Sequence, residues 1–187
     1  MHGLLEMTFV SEIVLQTKIA KKAAERLQAA NENLDSIEVW GAIQSILVAT
    51  GNVSKILWPP YKADQERGEK LRQVLCVEKD NMLSERKFRN HFEHYDSRIE
   101  DYFNKQGNGG INYTDLAMNP SLSEHLLALQ YGSEFASQFK SPLDNIHRGY
   151  NSFNNTLIYW GDVLDLNELM KALDVIHEAC KRYGHHW

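Results

Sequence analysis

Residues 36–60 read SIEVWGAIQSILVATGNVSKILWPP, and this stretch decides the fold. Ser36, followed by Glu38, is a start signal for a helix, and Pro59-Pro60 ends it because proline cannot continue a helix. Between these signals apolar residues fall on most sides of the helix. A helix of this kind is covered by other elements. The stretch therefore predicts a central, buried helix.

Three further helices are predicted around it. The first runs from Thr8 to about Asn33, with apolar residues at helical spacing. A shorter, charged helix runs from Asp64 to about Val77. The fourth begins at Ser84 and ends at the glycine-rich segment 107–110. The apolar stripe of the short helix is Leu71, Val74 and Leu75, and that of the fourth helix is Phe88, Phe92, Tyr95, Ile99, Tyr102 and Phe103.

The C-terminal part has a different pattern. Residues 156–160 and 163–166 predict two strands of a β-hairpin joined by Gly161-Asp162, a pair that suits a type II′ turn. Asp165 is the predicted N-cap of a last helix, with Glu168 as its capping-box partner. That helix should run to about Tyr183, with Leu169, Leu173, Ile176 and Cys180 inward. The segment 146–150 is interpreted as an ordinary turn before the hairpin.

Length and composition restrict the class of protein. The chain has 187 residues, 43% of them hydrophobic and 24% charged, which suits one domain or one domain with an appendage. Cys76 and Cys180 are far apart, without the spacing of a zinc site or the density of a disulfide scaffold. Apolar runs are too short for a membrane span, and the N-terminus has no basic segment of a signal peptide. We therefore expect a cytoplasmic protein without membrane contact.

The net charge of -5 is unfavourable for a protein that coats long nucleic acid. Such proteins gain affinity by neutralising phosphates with clustered lysine and arginine. An enzyme that contacts a few phosphates in a local pocket needs far fewer cations. The negative net charge is therefore evidence against nucleic-acid binding as a function, but it does not exclude such binding.

The fourth helix carries the segment Arg89-Asn90-His91-Phe92-Glu93-His94. It places a fixed cation, an amide and two imidazoles within about two helical turns, a set suited to binding a phosphate and moving a proton beside it. Asn90 and His94 share a helix face, whereas Arg89 and His94 diverge by about 140°. The alternative is that Arg89 pairs with Glu85 or Glu93 on a solvated face.

The segment resembles the Arg-x(4–6)-His signature of the HEPN superfamily, all-helical domains many of which are metal-independent ribonucleases. The resemblance implies that the four predicted helices form a HEPN-like bundle over residues 1–106. Together with the sequence pattern of the C-terminal part, this predicts a mainly α fold with a small α+β part, a β-hairpin plus a helix, over 107–187 packed on the bundle. The resemblance also implies an endoribonuclease of the toxin or phage-defence type that needs no metal or other cofactor.

The same resemblance implies roles for individual residues. Arg89 would hold the scissile phosphate, Asn90 would orient His94 or the phosphate, and His94 would be the general acid or base. Substrate contacts are expected from Lys55, His91 and Arg98. Family members form homodimers whose motif helices meet in a composite cleft, so the expected partners are RNA, a second copy of the chain, and an antitoxin or other partner protein.

Other interpretations stay open. His91, His94 and Tyr95 have a spacing that metal ligands use, but the helical half has no second Glu-x-x-His to complete a bundle metal site. Trp58 and Tyr61 could stack on bases, whereas Trp40 lies on the apolar stripe and fits a core position. The alternative to an enzyme is a non-catalytic helical module for dimerisation and protein interaction.

Overall fold

The computed structural model describes residues 2–85, 87, 90, 93–106, 114–116, 146–159 and 162–184. Within these ranges the chain is mainly helical, with a small sheet placed before the last helix. The α-helices are α1 (His2–Glu32), α2 (Ser36–Leu57), α3 (Gln65–Val74), α4 (Tyr95–Gln106) and α5 (Leu166–Gly184). The mainly α prediction with a C-terminal hairpin and helix is confirmed.

Local signals explain where α1 and α2 meet. Leu34 adopts a left-handed φ of 56°, and the backbone N–H of Asp35 donates to the carbonyl O of Ala30 over 3.0 Å, an arrangement that ends α1. The Asp35 carboxylate accepts the backbone N–H of Glu38 over 3.0 Å and so caps α2. As predicted, α2 is buried on most sides and stops before Pro59.

The chain divides into two compact units, each discontinuous in sequence. The helical unit contains Met1–Ala29, Gly41–Arg86 and Glu168–Trp187, and the sheet unit contains Ala30–Trp40 and Lys87–Asn167. The prediction instead placed one boundary between residues 106 and 107. In the structure the last helix groups with the N-terminal helices because its apolar stripe, Leu169, Leu173, Ile176 and Cys180, is buried there.

Polar contacts fix the helices of the helical unit to one another. Asn52 of α2 donates to Gln16 of α1 over 3.2 Å, and the Thr17 hydroxyl of α1 lies 2.7 Å from Nδ1 of His177 in α5. The Arg67 guanidinium of α3 stacks 4.4 Å from the ring centroid of Phe9. These contacts set the register of three helix pairs around an aliphatic core.

In α3 the buried positions are Gly68 and Leu71, and Leu75, directly after the helix, is buried as well. The prediction of Val74 as an inward residue is wrong, since its side chain is 42% exposed. Gly68 is the position of α3 that contacts Leu57 and Pro59, the end of α2 and the residues after it. An added Cβ at Gly68 would overlap Cδ of Pro59 and lie 2.8 Å from the carbonyl O of Leu57.

We expect Gly68→Ala to destabilise the protein by about 1–3 kcal/mol, because overpacking against backbone exceeds the gain in helix propensity. Urea unfolding followed by circular dichroism would measure the change. Gly3→Ala in α1 is the matched control, since a Cβ at Gly3 meets nothing within 4 Å. Equal stability of the two variants would contradict the close approach of α3 to Pro59.

The sheet has the order β1-β2-β3-β4, formed by Thr114–Leu116, Ile146–Asn151, Thr156–Tyr159 and Asp162–Asp165. The first pair is parallel and the other two are antiparallel. The interpretation of 146–150 as a turn is therefore wrong, because this segment forms β2. The two predicted hairpin strands are present as β3 and β4. Tyr159 pairs with Asp162, so Asp162 begins β4 and is not a turn residue, and the connecting positions 160 and 161 lie outside the described residues.

Tyr150 joins three parts of the sheet unit. Its ring is fully buried, its hydroxyl accepts from Nδ2 of Asn31 over 3.0 Å, and the same hydroxyl donates to Oδ1 of Asn155 over 2.6 Å. Burial raises the pKa of Tyr150. Asn155 has a left-handed φ of 56° and accepts the backbone N–H of Leu166 over 2.9 Å. The end of α1, β2 and the turn before β3 are thereby held together.

The N-cap of α5 is Asp165, as predicted, while the capping-box role of Glu168 stays a prediction. The Asp165 carboxylate accepts the backbone N–H of Asn167 over 2.8 Å, which satisfies one of the unpaired donors of the first helical turn. The helix then runs to Gly184, close to its predicted end at Tyr183. In the described ranges, no helix combines the length and the apolar character that a membrane span requires.

Candidate functional site

The segment that carries the motif differs from the single helix predicted from Ser84. Met82–Ser84 forms a short 3-10 turn in which the Asn81 side chain accepts the backbone N–H of Leu83, and Glu85 is extended with φ of -73° and ψ of 127°. A helix cannot pass through an extended residue. Helical backbone is described at Lys87, Asn90 and Glu93, a turn lies at His94, and α4 continues from Tyr95.

Three of the predicted site residues form one ridge. The backbone N–H of His94 donates to the carbonyl O of Asn90 over 3.1 Å, and the N–H of Arg98 donates to the carbonyl O of His94 over 3.1 Å. These bonds keep α-helical spacing across the turn, so successive members of the ridge are about 6 Å apart along the axis. His94 is exposed, whereas Asn90 and Arg98 are half-buried. An amide, an imidazole and a guanidinium therefore line one face.

Two other predicted residues, Arg89 and His91, lie outside the described residues, as does Phe92. The remaining one, Lys55, is an exposed residue of α2 and belongs to the helical unit, whereas the ridge belongs to the sheet unit. Next to the ridge, Tyr95 is 55% exposed. An exposed tyrosine of this kind is a favourable contact for another molecule.

An ion pair connects Lys87, two residues before the motif 89–94, to the sheet. We call residues 87–94 the motif segment. The Lys87 ammonium contacts the Asp162 carboxylate at the first residue of β4, and the Lys87 and Asp162 side chains are 52% and 21% exposed. In contrast, the pair Lys22–Glu25 joins neighbouring turns of α1 with side chains 78% and 55% exposed. The sequence predicts Asp162 only as a turn residue, and no functional role was predicted for Lys87 or Asp162. No local pattern reveals their pairing, because it depends on the fold.

On the same sheet, Arg148 of β2 pairs with Tyr159, which pairs with Asp162. The three residues form one row on one face of the sheet. The Arg148 guanidinium lies 4.7 Å from the ring centroid of Trp40, which is half-buried. Trp40 was predicted to fit a core position, and its side chain is buried in part. Stacking on an indole face holds the planar donor array of an arginine in a fixed orientation.

The aromatic residues considered for base stacking in the helical unit have different environments. Trp58 is 8% exposed and its indole N–H donates to the carbonyl O of Lys79 over 2.9 Å, so it is a core residue. Tyr61 is 73% exposed. A shallow cleft of about 260 Å³ lies at the C-terminal end of α3, lined by residues of both charge signs and by the exposed Cys76.

His177 in α5 has an environment different from that of His94. The Thr17 hydroxyl donates to the carbonyl O of Val14 over 2.9 Å, so its oxygen accepts a hydrogen bond from Nδ1–H of His177 over 2.7 Å. Burial and the nearby Lys181 lower the pKa of His177. This imidazole connects α1 to α5 and is not part of the ridge. Within the described ranges no three His, Cys, Asp or Glu side chains converge as a metal site requires.

Comparison of the chain with protein-family models, with curated proteins and with solved structures finds no match. The HEPN resemblance therefore depends on the motif residues themselves.

Proposed function

We propose that this chain is a metal-independent endoribonuclease of the HEPN type, in a toxin or phage-defence role. The observation that supports the proposal is the ridge of Asn90, His94 and Arg98, in which an exposed imidazole lies between an amide and a guanidinium on one helix face. These groups suit phosphate recognition and proton transfer. The four-helix HEPN bundle is part of the same proposal.

The proposed reaction is an internal transesterification. A ribose 2′-oxygen attacks the adjacent phosphorus, the 2′-hydroxyl proton is removed, and the bond from phosphorus to the 5′-oxygen breaks as that oxygen takes up a proton. His94 is the general base or general acid of these transfers. Arg89 stabilises the charge on the phosphoryl oxygens, and Asn90 orients the phosphate or the imidazole. The products are a 2′,3′-cyclic phosphate and a 5′-hydroxyl.

Substrate contacts beyond the scissile bond are assigned to His91, Lys55 and Arg98. Arg98 follows His94 by about one helical turn and is half-buried. Its side chain is therefore restricted near the backbone, and its guanidinium can contact a neighbouring phosphate. No metal or cofactor takes part in the scheme. The charge stabilisation that a metal would provide comes instead from the guanidinium groups.

A homodimer through the motif helix completes the site. On one helix Arg89 and His94 diverge by about 140°, so one copy does not easily direct both to the same phosphate. A two-fold axis would place Arg89 of one chain beside His94 of the other. The 55% exposed Tyr95 supplies an aromatic contact for such an interface.

A second candidate function, a non-catalytic protein-interaction module, is favoured by a different surface. Leu34 and Ile37, in the connection between α1 and α2 and at the start of α2, are 79% and 84% exposed. Residues 27–40 contain Glu32, Asp35 and Glu38 and no basic residue. Exposed apolar side chains among acids suit a basic protein partner such as an antitoxin, and do not suit RNA.

An assay of RNA cleavage in EDTA separates the two functions. An endoribonuclease cleaves under this condition and leaves 5′-hydroxyl ends. An interaction module leaves the RNA intact.

A further inference from the structure

The ion pair between Lys87 and Asp162 is a fixed point of the motif segment. Asp162 is the more enclosed partner, with a side chain 21% exposed, and its backbone is held in β4 opposite Tyr159. Lys87 lies at the beginning of the motif segment, with a side chain 52% exposed. A carboxylate fixed in a sheet can therefore determine where this part of the segment lies.

Helix geometry connects Lys87 to the ridge. Asn90 follows Lys87 by three residues and His94 follows it by seven, which places them about 60° and about 20° from the direction of Lys87 around the axis. Lys87, Asn90 and Glu93 have helical backbone, and the two backbone hydrogen bonds from Asn90 to Arg98 keep the helical spacing beyond Asn90. Lys87, Asn90 and His94 therefore share a face, and the contact of Lys87 with Asp162 restricts rotation of that face.

We propose that Asp162 is a positioning residue for His94 and acts through Lys87. The expected effect on kcat rests on the proposed ribonuclease function. The effect of Asp162 on the orientation of His94 does not depend on that function. Asp162 does not contact the reacting atoms in this scheme. It holds the Lys87 side chain, and through it sets the rotation of the helix face from which His94 reaches the scissile phosphate.

The expected effect is on the chemical step. A misplacement of about 1 Å at a reacting group can cost about 10²-fold in rate. A partly exposed ion pair is weaker than a rigid contact, so we expect Asp162→Asn and Lys87→Gln each to lower kcat by about 10-fold. The KM for RNA should change by less than about 3-fold, because neither residue is assigned to substrate binding.

The experiment is a charge-reversal cycle with kcat and KM measured for every variant. Lys87→Asp and Asp162→Lys should each lower kcat by about 10-fold or more, and the double reversal should recover kcat to within about 3-fold of the wild type. Lys22→Gln is the matched control, since the Lys22–Glu25 pair joins exposed side chains within α1 over 2.7 Å. Single variants with wild-type kcat, or a double reversal without recovery, would overturn the proposal.

A second readout needs no enzymatic activity. In a ¹H–¹³C NMR spectrum, the imidazole signal of His94, assigned by its loss in His94→Ala, should shift in Asp162→Asn and return in the double reversal. It should not shift in Lys22→Gln. An unmoved His94 signal in Asp162→Asn would refute the positioning role, whether or not the wild type cleaves RNA. Absence of wild-type cleavage with a shifted His94 signal would refute the proposed function alone.

Discussion

His94→Ala is expected to lower RNA cleavage by about 10²-fold or more, because the substitution removes the proposed general acid or base. His94 is exposed, so the loss of its ring creates no cavity and the fold should be retained. Initial rates of cleavage of a fluorescent single-stranded RNA would measure the effect. Circular dichroism and thermal unfolding of the same samples would show whether the fold is intact.

Two companion measurements sharpen this result. Exogenous imidazole should partly restore cleavage by His94→Ala, since a free base can occupy the space of the missing ring. His177→Asn is the matched control, because this histidine connects α1 to α5 through Thr17 and is not part of the ridge. Wild-type rates for His94→Ala with an unchanged circular dichroism spectrum would refute the catalytic role of His94.

Tyr95→Asp is expected to convert a homodimer into a monomer and to abolish the composite site. The substitution replaces a 55% exposed tyrosine beside His94 by an unpaired charge. Burying an unpaired charge in an interface costs about 3 kcal/mol or more, which raises the dimer dissociation constant by about 10²-fold. Light scattering across a concentration series would give the molar mass, and cleavage should fall with the fraction of dimer.

The control for surface chemistry is Tyr61→Asp, which changes a tyrosine that is 73% exposed in the helical unit. This variant should keep both the molar mass and the cleavage rate of the wild type. A wild-type chain that stays monomeric at high micromolar concentration would exclude the composite site. A charge at Phe92, which lies outside the described residues, is predicted to act like Tyr95→Asp.

The helices could be predicted because their signals are local. Apolar spacing gave α1, α2 and α5, while Pro59 and Asp165 marked ends that the structure retains. The predicted start of the fourth helix, at Ser84, is too early. At Glu85 the chain is extended, and the Asn81 side chain stabilises a competing 3-10 turn. A side chain that bonds to nearby backbone competes with helix formation.

The sheet was harder to predict because its pairing is nonlocal. β2 contains Gly149 and Asn151 beside Tyr150, and all three are buried, so the segment lacks the alternation of polar and apolar residues that reveals a half-buried strand. β1 is only three residues long and pairs with a strand far along the chain. The two hairpin strands were predicted, but Asp162, which was predicted as a turn residue, begins β4.

The candidate site was predictable only in the part that lies on one helix. Asn90, His94 and Arg98 are four residues apart, and the structure places them on one ridge as helical periodicity requires. The contact of Lys87 with Asp162, and that of Arg148 with Trp40, join residues that only the folded sheet brings together. No spacing rule in the sequence predicts either contact.

The measurement that tests the central claim most directly is cleavage of single-stranded RNA by the wild-type protein in EDTA, with analysis of the product ends. A site built from Arg89, Asn90 and His94 should cut without added metal, leave 2′,3′-cyclic phosphate and 5′-hydroxyl ends, and leave a 2′-deoxy substrate intact. Intact RNA under these conditions, or cleavage that stops in EDTA and leaves 5′-phosphate ends, would contradict the account.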